Sequence, residues 1–84
     1  MHLSVVAMMD NSDRYLRKLY EMSEGHMTTF DRHEIGKKLG LDDDETDEIV
    51  DELEESGKIK TPLGNTVVLS RAAKDMLDSE KGIA

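Results

Sequence analysis

Mostly apolar residues recur at helical spacing in two parts of the chain, each set with one small hydroxyl residue. Residues at i, i+3, i+4 and i+7 lie on one face of a helix. This spacing is shown by Leu16, Leu19, Tyr20 and Ser23, and again by Thr46, Ile49, Val50 and Leu53. Because the positions between them are mostly charged, both stretches predict amphipathic helices with one buried face. Tyr15 and Met22 widen the buried face of the first helix.

Capping residues set the limits of three predicted helices. A short polar side chain at a helix start, often with Glu three residues later, and Gly at a helix end are the expected signals. The starts are Asn11 or Ser12, Asp31 with Glu34, and Asp42 with Glu45, and the ends are Gly25, Gly40 and Gly57. The sequence therefore predicts helices over about residues 12–23, 32–39 and 43–56. Gly36 lies inside the second helix, where the absence of a side chain lets a neighbouring helix come close.

Alternating polar and apolar residues after Gly57 predict a β-hairpin. Residues 58–61 and 66–69 are its strands, and residues 62–65, Pro-Leu-Gly-Asn, supply the turn. Upstream, the Thr-Thr-Phe stretch of residues 28–30 favours an extended form and predicts a short edge strand.

The chain ends in a fourth predicted helix that Ser70 caps. Its inner face holds Ala73, Met76 and Leu77. Residues 79–84 lack a periodic pattern and are expected to fray, and residues 1–10 are assigned to an N-terminal tail. This leaves one domain over residues 11–78. We place Leu53 at the centre of its core, surrounded by Leu39, Ile59 and Val68.

The predicted order of helix, strand, helix, helix, hairpin and helix is a mainly α fold with a small β wing. It resembles the winged helix-turn-helix superfamily over residues 11–78. The most specific part is residues 31–59, with Gly36 in a capped helix, the turn Leu-Gly-Leu at 39–41, and the helix end Leu-Glu-Glu-Ser-Gly-Lys-Ile at 53–59. Residues 15–22 are similar to the first helix of metal-dependent repressors of the iron and manganese type. Residues 69–73 lack the Pro and Gly that many winged-helix regulators carry there.

The resemblance implies a DNA-binding regulator whose third helix enters the major groove and whose wing touches the backbone or the minor groove. The groove-facing residues would be Asp43, Asp44, Asp47, Glu48 and Asp51. A single carboxylate can accept a hydrogen bond from cytosine N4. Five carboxylates without an intervening cation would be repelled by phosphates and would release no counterions.

Charge therefore changes the functional picture. The chain has a net charge of −8, and ten of its nineteen acidic residues lie between Asp42 and Glu55. This run is either a solvated helix face or a docking surface for a basic protein partner. A metal site is disfavoured, because flexible carboxylates on one helix form no cage without loop ligands.

Four lysines are candidates for contacts with the DNA backbone: Lys37, Lys38, Lys58 and Lys60. The same residues have structural explanations, because Lys at a helix C-terminus complements the dipole and Lys on an edge strand blocks unwanted pairing. His26 and His33 have no cysteine near them and no carboxylates at ligand spacing, so they are weak evidence for a zinc site and are expected to be exposed.

Other kinds of chemistry find little support. The chain has no cysteine, which excludes disulfides and thiolate metal sites. It has no Gly-rich phosphate loop and no plausible Ser–His–Asp set, so we expect no enzyme, no catalytic residue, no metal and no cofactor. The longest mostly apolar stretch, Val5 to Met9, is too short to span a membrane, and the N-terminus does not resemble a signal peptide. We expect a cytoplasmic protein with no membrane partner.

Two functional hypotheses follow. In the first, the chain is a DNA-binding transcriptional regulator that occupies an operator, acting as a homodimer because one module buries little DNA surface. In the second, it is a winged-helix protein–protein interaction module that uses the acidic third helix and binds little or no DNA. The resemblance favours DNA binding, and the placement of charge favours a basic protein partner. From the sequence alone we expect the first, with the second as the alternative.

Overall fold

The computed structural model describes residues 10–24 and 26–81, apart from the side chain of Lys81. Its elements are α1 (Asn11–Ser23), β1 (Phe30–Asp31), α2 (Arg32–Lys38), α3 (Asp43–Glu55), β2 (Ile59–Lys60), β3 (Thr66–Leu69) and α4 (Arg71–Lys81). The fold is mainly helical with a small sheet, and the element order is the predicted one. Most of the predicted N-terminal tail, the helix stop at Gly25 and residues 82–84 lie outside the described residues.

Helix α1 begins at a different cap from the predicted one. Asp10 is the N-cap, and its carboxylate accepts a hydrogen bond from the backbone N–H of Asp13 at 2.9 Å. The prediction of Asn11 or Ser12 was wrong because Asp, Asn and Ser cap helices almost equally well, so composition alone does not choose between adjacent residues.

The predicted starts of the next two helices are confirmed. The Asp31 carboxylate accepts hydrogen bonds from the N–H groups of His33 and Glu34, at 2.8 and 3.3 Å. The Asp42 carboxylate accepts one from the N–H of Glu45 at 2.8 Å. Each cap satisfies backbone donors that the first turn leaves free.

Gly40 ends α2 in the predicted way. Its φ of 78° is the left-handed conformation that glycine adopts without a Cβ clash. Its N–H donates to the Lys37 carbonyl at 3.1 Å, and the Leu41 N–H donates to the Gly36 carbonyl at 2.9 Å. These two bonds define a Schellman motif and turn the chain towards α3.

Helices α2 and α3 meet closely at Gly36. A Cβ added to Gly36 would lie 3.1 Å from both Cβ and Cγ2 of Thr46 and would collide with the Thr46 hydroxyl. That hydroxyl donates to the Asp42 carbonyl at 2.8 Å, and Thr46 is buried. The prediction that Gly36 permits a close helix approach is therefore confirmed.

The sheet has the strand order β1-β3-β2, with both pairings antiparallel. Val67 and Leu69 of β3 are buried, whereas Val68 is only half-buried. The prediction that Val68 packs around Leu53 was wrong, because side chains alternate along a strand and the inward set is the other one. Strand β1 pairs Phe30 with Val67, so the edge strand lies at the end of the predicted 28–30 stretch.

The core lies between the helices and the sheet. Its buried residues are Tyr15, Leu16, Leu19, Ile35, Leu41, Ile49, Val50, Leu53, Ile59, Val67, Leu69, Ala73 and Leu77. Leu53 is 2% exposed, which confirms its predicted burial. Tyr20, Met22 and Leu39 are only partly buried against this cluster.

Helix α4 differs from its prediction in two ways. Ser70 caps it as predicted, with Oγ accepting from the Ala73 N–H at 3.1 Å, but Met76 is 42% exposed. Met76 was wrongly placed inside because α4 buries only a narrow stripe, the i, i+4 pair Ala73 and Leu77. The helix also continues to Lys81, through residues that were expected to fray, and a Glu80–Arg17 ion pair of 3.1 Å ties it to α1.

Candidate functional site

Every residue of α3 that is not buried carries a carboxylate. The buried residues are the four predicted ones, Thr46, Ile49, Val50 and Leu53. The other nine are Asp43, Asp44, Glu45, Asp47, Glu48, Asp51, Glu52, Glu54 and Glu55, and we call their surface the acidic face. All five sequence-predicted surface residues of this helix belong to it.

The acidic face is partly unfavourable to the helix that carries it. Carboxylates in the first turn, at residues 43–45, interact favourably with the N-terminal end of the helix dipole. Further along, pairs such as Glu48 and Glu52 repel each other at i, i+4 spacing, and the last turn has no basic residue. The buried side of α3 has to offset this repulsion.

Asp47 differs from the other carboxylates of the acidic face. Its Oδ1 lies 3.0 Å from Nε2 of His33 and 3.4 Å from Nη1 of Arg32. The hydrogen bond to His33 is the main reason that the pKa of Asp47 lies below its ordinary value, and Arg32 adds to the effect. Asp47 is therefore an ionised carboxylate of α3 that is bonded to two residues of α2. It is not a free group that faces a DNA groove.

Arg32 joins three parts of the fold. Its N–H donates to the Asn65 carbonyl at 2.8 Å, and its carbonyl accepts from the hydroxyl of Tyr15 at 2.9 Å. Its Nη2 donates to the Gly64 carbonyl at 3.4 Å while Nη1 faces Asp47. The first residue of α2 thus links α1, α3 and the hairpin turn, which we define as residues 61–65. Burial raises the pKa of the Tyr15 hydroxyl, which keeps it a donor in this link.

Sequence reasoning missed the Arg32–Asp47–His33 cluster. Residues 31–34 were interpreted only as a helix start, and His33 was expected to be exposed. In fact its side chain is 25% exposed and bonded to Asp47, so that expectation was wrong. Gly36 indicated from the sequence that another helix packs here, but not which residues meet. In the structure Gly36 contacts Thr46, and this contact places Arg32 and His33 beside Asp47.

The four candidate lysines do not form one patch. Lys37 and Lys38 are exposed in the last turn of α2, and Lys37 borders a shallow depression with residues 41–44 at the start of α3. Lys58 and Lys60 are exposed beyond the other end of α3, which is 13 residues or about 20 Å long. In the described part of the chain, none of the four forms an ion pair.

A second surface feature is a groove between α1 and α4. It is lined by Arg17, Tyr20, Glu21, Glu24, Leu77, Asp78 and Glu80. The Tyr20 hydroxyl donates to Asp78, which also pairs with Lys74 at 2.7 Å. The hydrogen bond to Asp78 raises the pKa of Tyr20. These contacts hold α4 against α1 and leave a groove in which five of the seven lining residues are charged.

No protein-family model, curated protein or solved structure matches the chain. Among residues 10–24 and 26–81, no three His, Asp or Glu side chains are grouped so that they could hold a metal ion. None of the helices in that part is long and apolar enough to cross a membrane. The surface features that can indicate a function are the acidic face, the four lysines and the Arg32–Asp47–His33 cluster.

Proposed function

We propose that this chain is a winged-helix domain that binds a basic protein surface through the acidic face of α3. The observation that carries the proposal is that all nine non-buried positions of α3 are carboxylates. The element order and the β1-β3-β2 sheet support the winged-helix assignment. In DNA-binding members of that fold the third helix is the recognition helix. Our proposal gives the same exposed helix a protein partner in place of DNA.

Electrostatics favours a basic partner over DNA at this surface. DNA binding gains affinity when Lys or Arg side chains replace counterions on phosphates, and α3 supplies neither residue. The same negative potential attracts a positively charged protein surface and steers its approach. A surface of one sign over the full length of α3 therefore suits a lysine- or arginine-rich partner.

Few contacts within the described residues compensate the negative charge of the acidic face. Within the described residues, Asp47 is the only carboxylate of the acidic face that forms an ion pair, and Glu54 has only the hydroxyl of Thr61 as a side-chain partner. The repulsion between i, i+4 carboxylates such as Glu48 and Glu52 persists in the free domain. A basic partner would relieve that repulsion on binding, which adds to the attraction between the two surfaces.

A matched pair of charge variants tests this proposal. Glu48→Gln/Asp51→Asn/Glu52→Gln removes three charges from the acidic face, and Glu24→Gln/Glu34→Gln/Asp75→Asn removes three exposed charges elsewhere. The probe is a labelled lysine–alanine peptide of about 18 residues, or about five helical turns. We expect the first variant to bind it at least about tenfold more weakly than wild type, a difference of about 1.4 kcal/mol. We expect the second variant to bind nearly as wild type. An equal loss in both variants would show that net charge alone attracts the peptide.

A second candidate function is binding to the DNA backbone away from the acidic face. It is favoured by one observation: Lys37, Lys38, Lys58 and Lys60 are exposed and have no ion pair in the described part of the chain. Since these lysines lie at opposite ends of α3, each pair offers only a small number of phosphate contacts. We expect a dissociation constant above about 10⁻⁶ M for random duplex DNA at physiological salt. A titration of Lys58→Ala/Lys60→Ala against wild type tests whether the hairpin contributes.

A further inference from the structure

We propose that Arg32 couples the acidic face to the hairpin turn, so that a cationic group bound at Asp47 loosens the turn. The nature of that cation rests on the proposed function, but the coupling itself does not. Its basis is the placement of one guanidinium group between two elements. Nη1 faces Asp47 of α3 at 3.4 Å, and Nη2 donates to the Gly64 carbonyl of the turn at 3.4 Å.

The guanidinium group is planar and rigid, so its two terminal nitrogens move together. A displacement that breaks the contact with Asp47 therefore also moves Nη2 away from Gly64. Asp47 is open to a competing cation, because its side chain is 48% exposed whereas that of Arg32 is 14% exposed. A partner's Lys or Arg can reach the carboxylate without first displacing Arg32.

The observed arrangement of Arg32 leaves one donor unsatisfied. Its Nε is buried and has no hydrogen-bond partner among the described residues. Leaving a buried donor unpaired is costly, and the contacts of the group with Asp47 and Gly64 oppose that cost. Once Asp47 is neutralised or has bound another cation, we expect the guanidinium group to reorient towards water or another acceptor.

The backbone contacts of Arg32 confine the effect to the turn. The hydrogen bond from its backbone N–H to the Asn65 carbonyl does not depend on the side chain. Nor does the hydrogen bond that its carbonyl accepts from the Tyr15 hydroxyl. Only the hydrogen bond from the Arg32 side chain to the Gly64 carbonyl is lost. Two backbone amides at the turn serve as probes of this loosening. The Thr66 N–H donates to the Leu63 carbonyl at 3.0 Å, and the Leu63 N–H donates to Thr66 Oγ1 at 3.2 Å.

Amide hydrogen exchange on the full chain tests the coupling without any partner. Asp47→Asn should raise the exchange rates of the Leu63 and Thr66 amides roughly two- to fivefold, since partly exposed ion pairs contribute modestly. Amides in α1, such as that of Leu19, should keep their rates. Asp51→Asn is the matched control, because this carboxylate is exposed on the same helix and has no side-chain partner among the described residues.

A variant that lacks the Arg32 guanidinium group tests whether the faster amide exchange depends on it. In Arg32→Gln, adding Asp47→Asn should cause no further rise at Leu63 and Thr66. If Arg32→Gln does not fold, Arg32→Lys replaces it, because a single ammonium group lacks the fork that bridges both acceptors. The proposal is overturned if Asp47→Asn leaves the turn amides unchanged, if Asp51→Asn has the same effect, or if the rise persists without Arg32.

Adding the lysine–alanine peptide to the wild-type chain separates this inference from the proposed function. If the peptide binds and the Leu63 and Thr66 amides exchange faster, both proposals are supported. If it binds without altering them, the claim that a bound cation loosens the turn is contradicted, and the binding proposal stands. Asp47→Asn then decides whether the Arg32 coupling itself exists. If it does not bind while Asp47→Asn still loosens the turn, the coupling stands and the binding proposal is contradicted.

Discussion

Gly36 lies so close to Thr46 that a side chain at position 36 would collide with the Thr46 hydroxyl. Gly→Ala inside a helix normally stabilises it by about 1 kcal/mol. Here we expect the reverse, because overpacking a core typically costs about 1–3 kcal/mol and the contacting atoms include the Thr46 Cβ at 3.1 Å. Urea unfolding of Gly36→Ala should show a lower free energy of unfolding than wild type.

Thr46 provides the control for this prediction. Thr46→Ala removes the hydroxyl and Cγ2 that a new Cβ would meet, so Gly36→Ala should cost less in that background than in the wild-type chain. A Gly36→Ala variant that is as stable as wild type would show that α2 and α3 are not in close contact at this point.

Leu53 tests the packing of the core. It is buried on α3 within the same cluster as Ile59 and Val50. Leu53→Ala should lower the free energy of unfolding by about 2–5 kcal/mol, as truncation of buried Leu does. Val68→Ala serves as the comparison, since Val68 is only half-buried and should cost less. Thermal melting by circular dichroism measures both, and a Leu53→Ala midpoint within a degree or two of wild type would rule out this core.

Asp47 should make a pH-dependent contribution to the free energy of unfolding. Its pKa in the folded chain is lowered, chiefly by the hydrogen bond to His33. A lowered carboxylate pKa stabilises the fold above the unfolded value of about 3.9, and this contribution is lost as the pH falls below it. In urea unfolding, the stability difference between wild type and Asp47→Asn should therefore shrink as the pH falls below about 3.9 and Asp47 becomes protonated.

His33→Gln checks the cause of that pH dependence. Because His33 makes the largest favourable contribution to the lowered pKa, this variant should reduce the acid-dependent difference and leave only the smaller effect of Arg32. If the difference between wild type and Asp47→Asn does not change with pH, the cluster does not hold Asp47 ionised as described.

The acidic face itself should lower stability at low salt. Glu48→Gln/Asp51→Asn/Glu52→Gln removes like charges at i, i+4 spacing, each pair of which costs a few tenths of a kcal/mol. We expect a higher melting temperature than wild type at low ionic strength. The gain should shrink at about 1 M salt, where the screening length is about 3 Å. A lower melting temperature at low salt would mean that these carboxylates stabilise α3 by contacts within the domain.

Local chemistry predicted most of the fold. The caps at Asp31, Asp42 and Ser70 and the stop at Gly40 act on residues one turn away, so the sequence shows them directly. The inward face of α3 was also predictable, because its period matches a helix without interruption. Met76 was not predictable, since the width of the face that α4 buries depends on how it packs against α1.

The sequence predicted where the carboxylates of the candidate site lie, but not which of them forms contacts with other residues. Sequence placed five carboxylates on the outside of α3 and treated them alike. Only the packing of α2 on α3 distinguishes Asp47, because it brings Arg32 and His33 to that carboxylate from 15 and 14 residues away. Contacts between helices at such separations have no signature in local periodicity.

The most direct measurement compares two ligands on one protein. Binding of the labelled lysine–alanine peptide and of labelled random duplex DNA is measured by fluorescence anisotropy at about 150 mM salt. We expect the chain to bind the peptide more tightly than DNA, and Glu48→Gln/Asp51→Asn/Glu52→Gln to weaken only the peptide. If DNA binds more tightly than the peptide and Lys58→Ala/Lys60→Ala weakens it, the acidic face is not the binding surface and the DNA-binding hypothesis is the correct one.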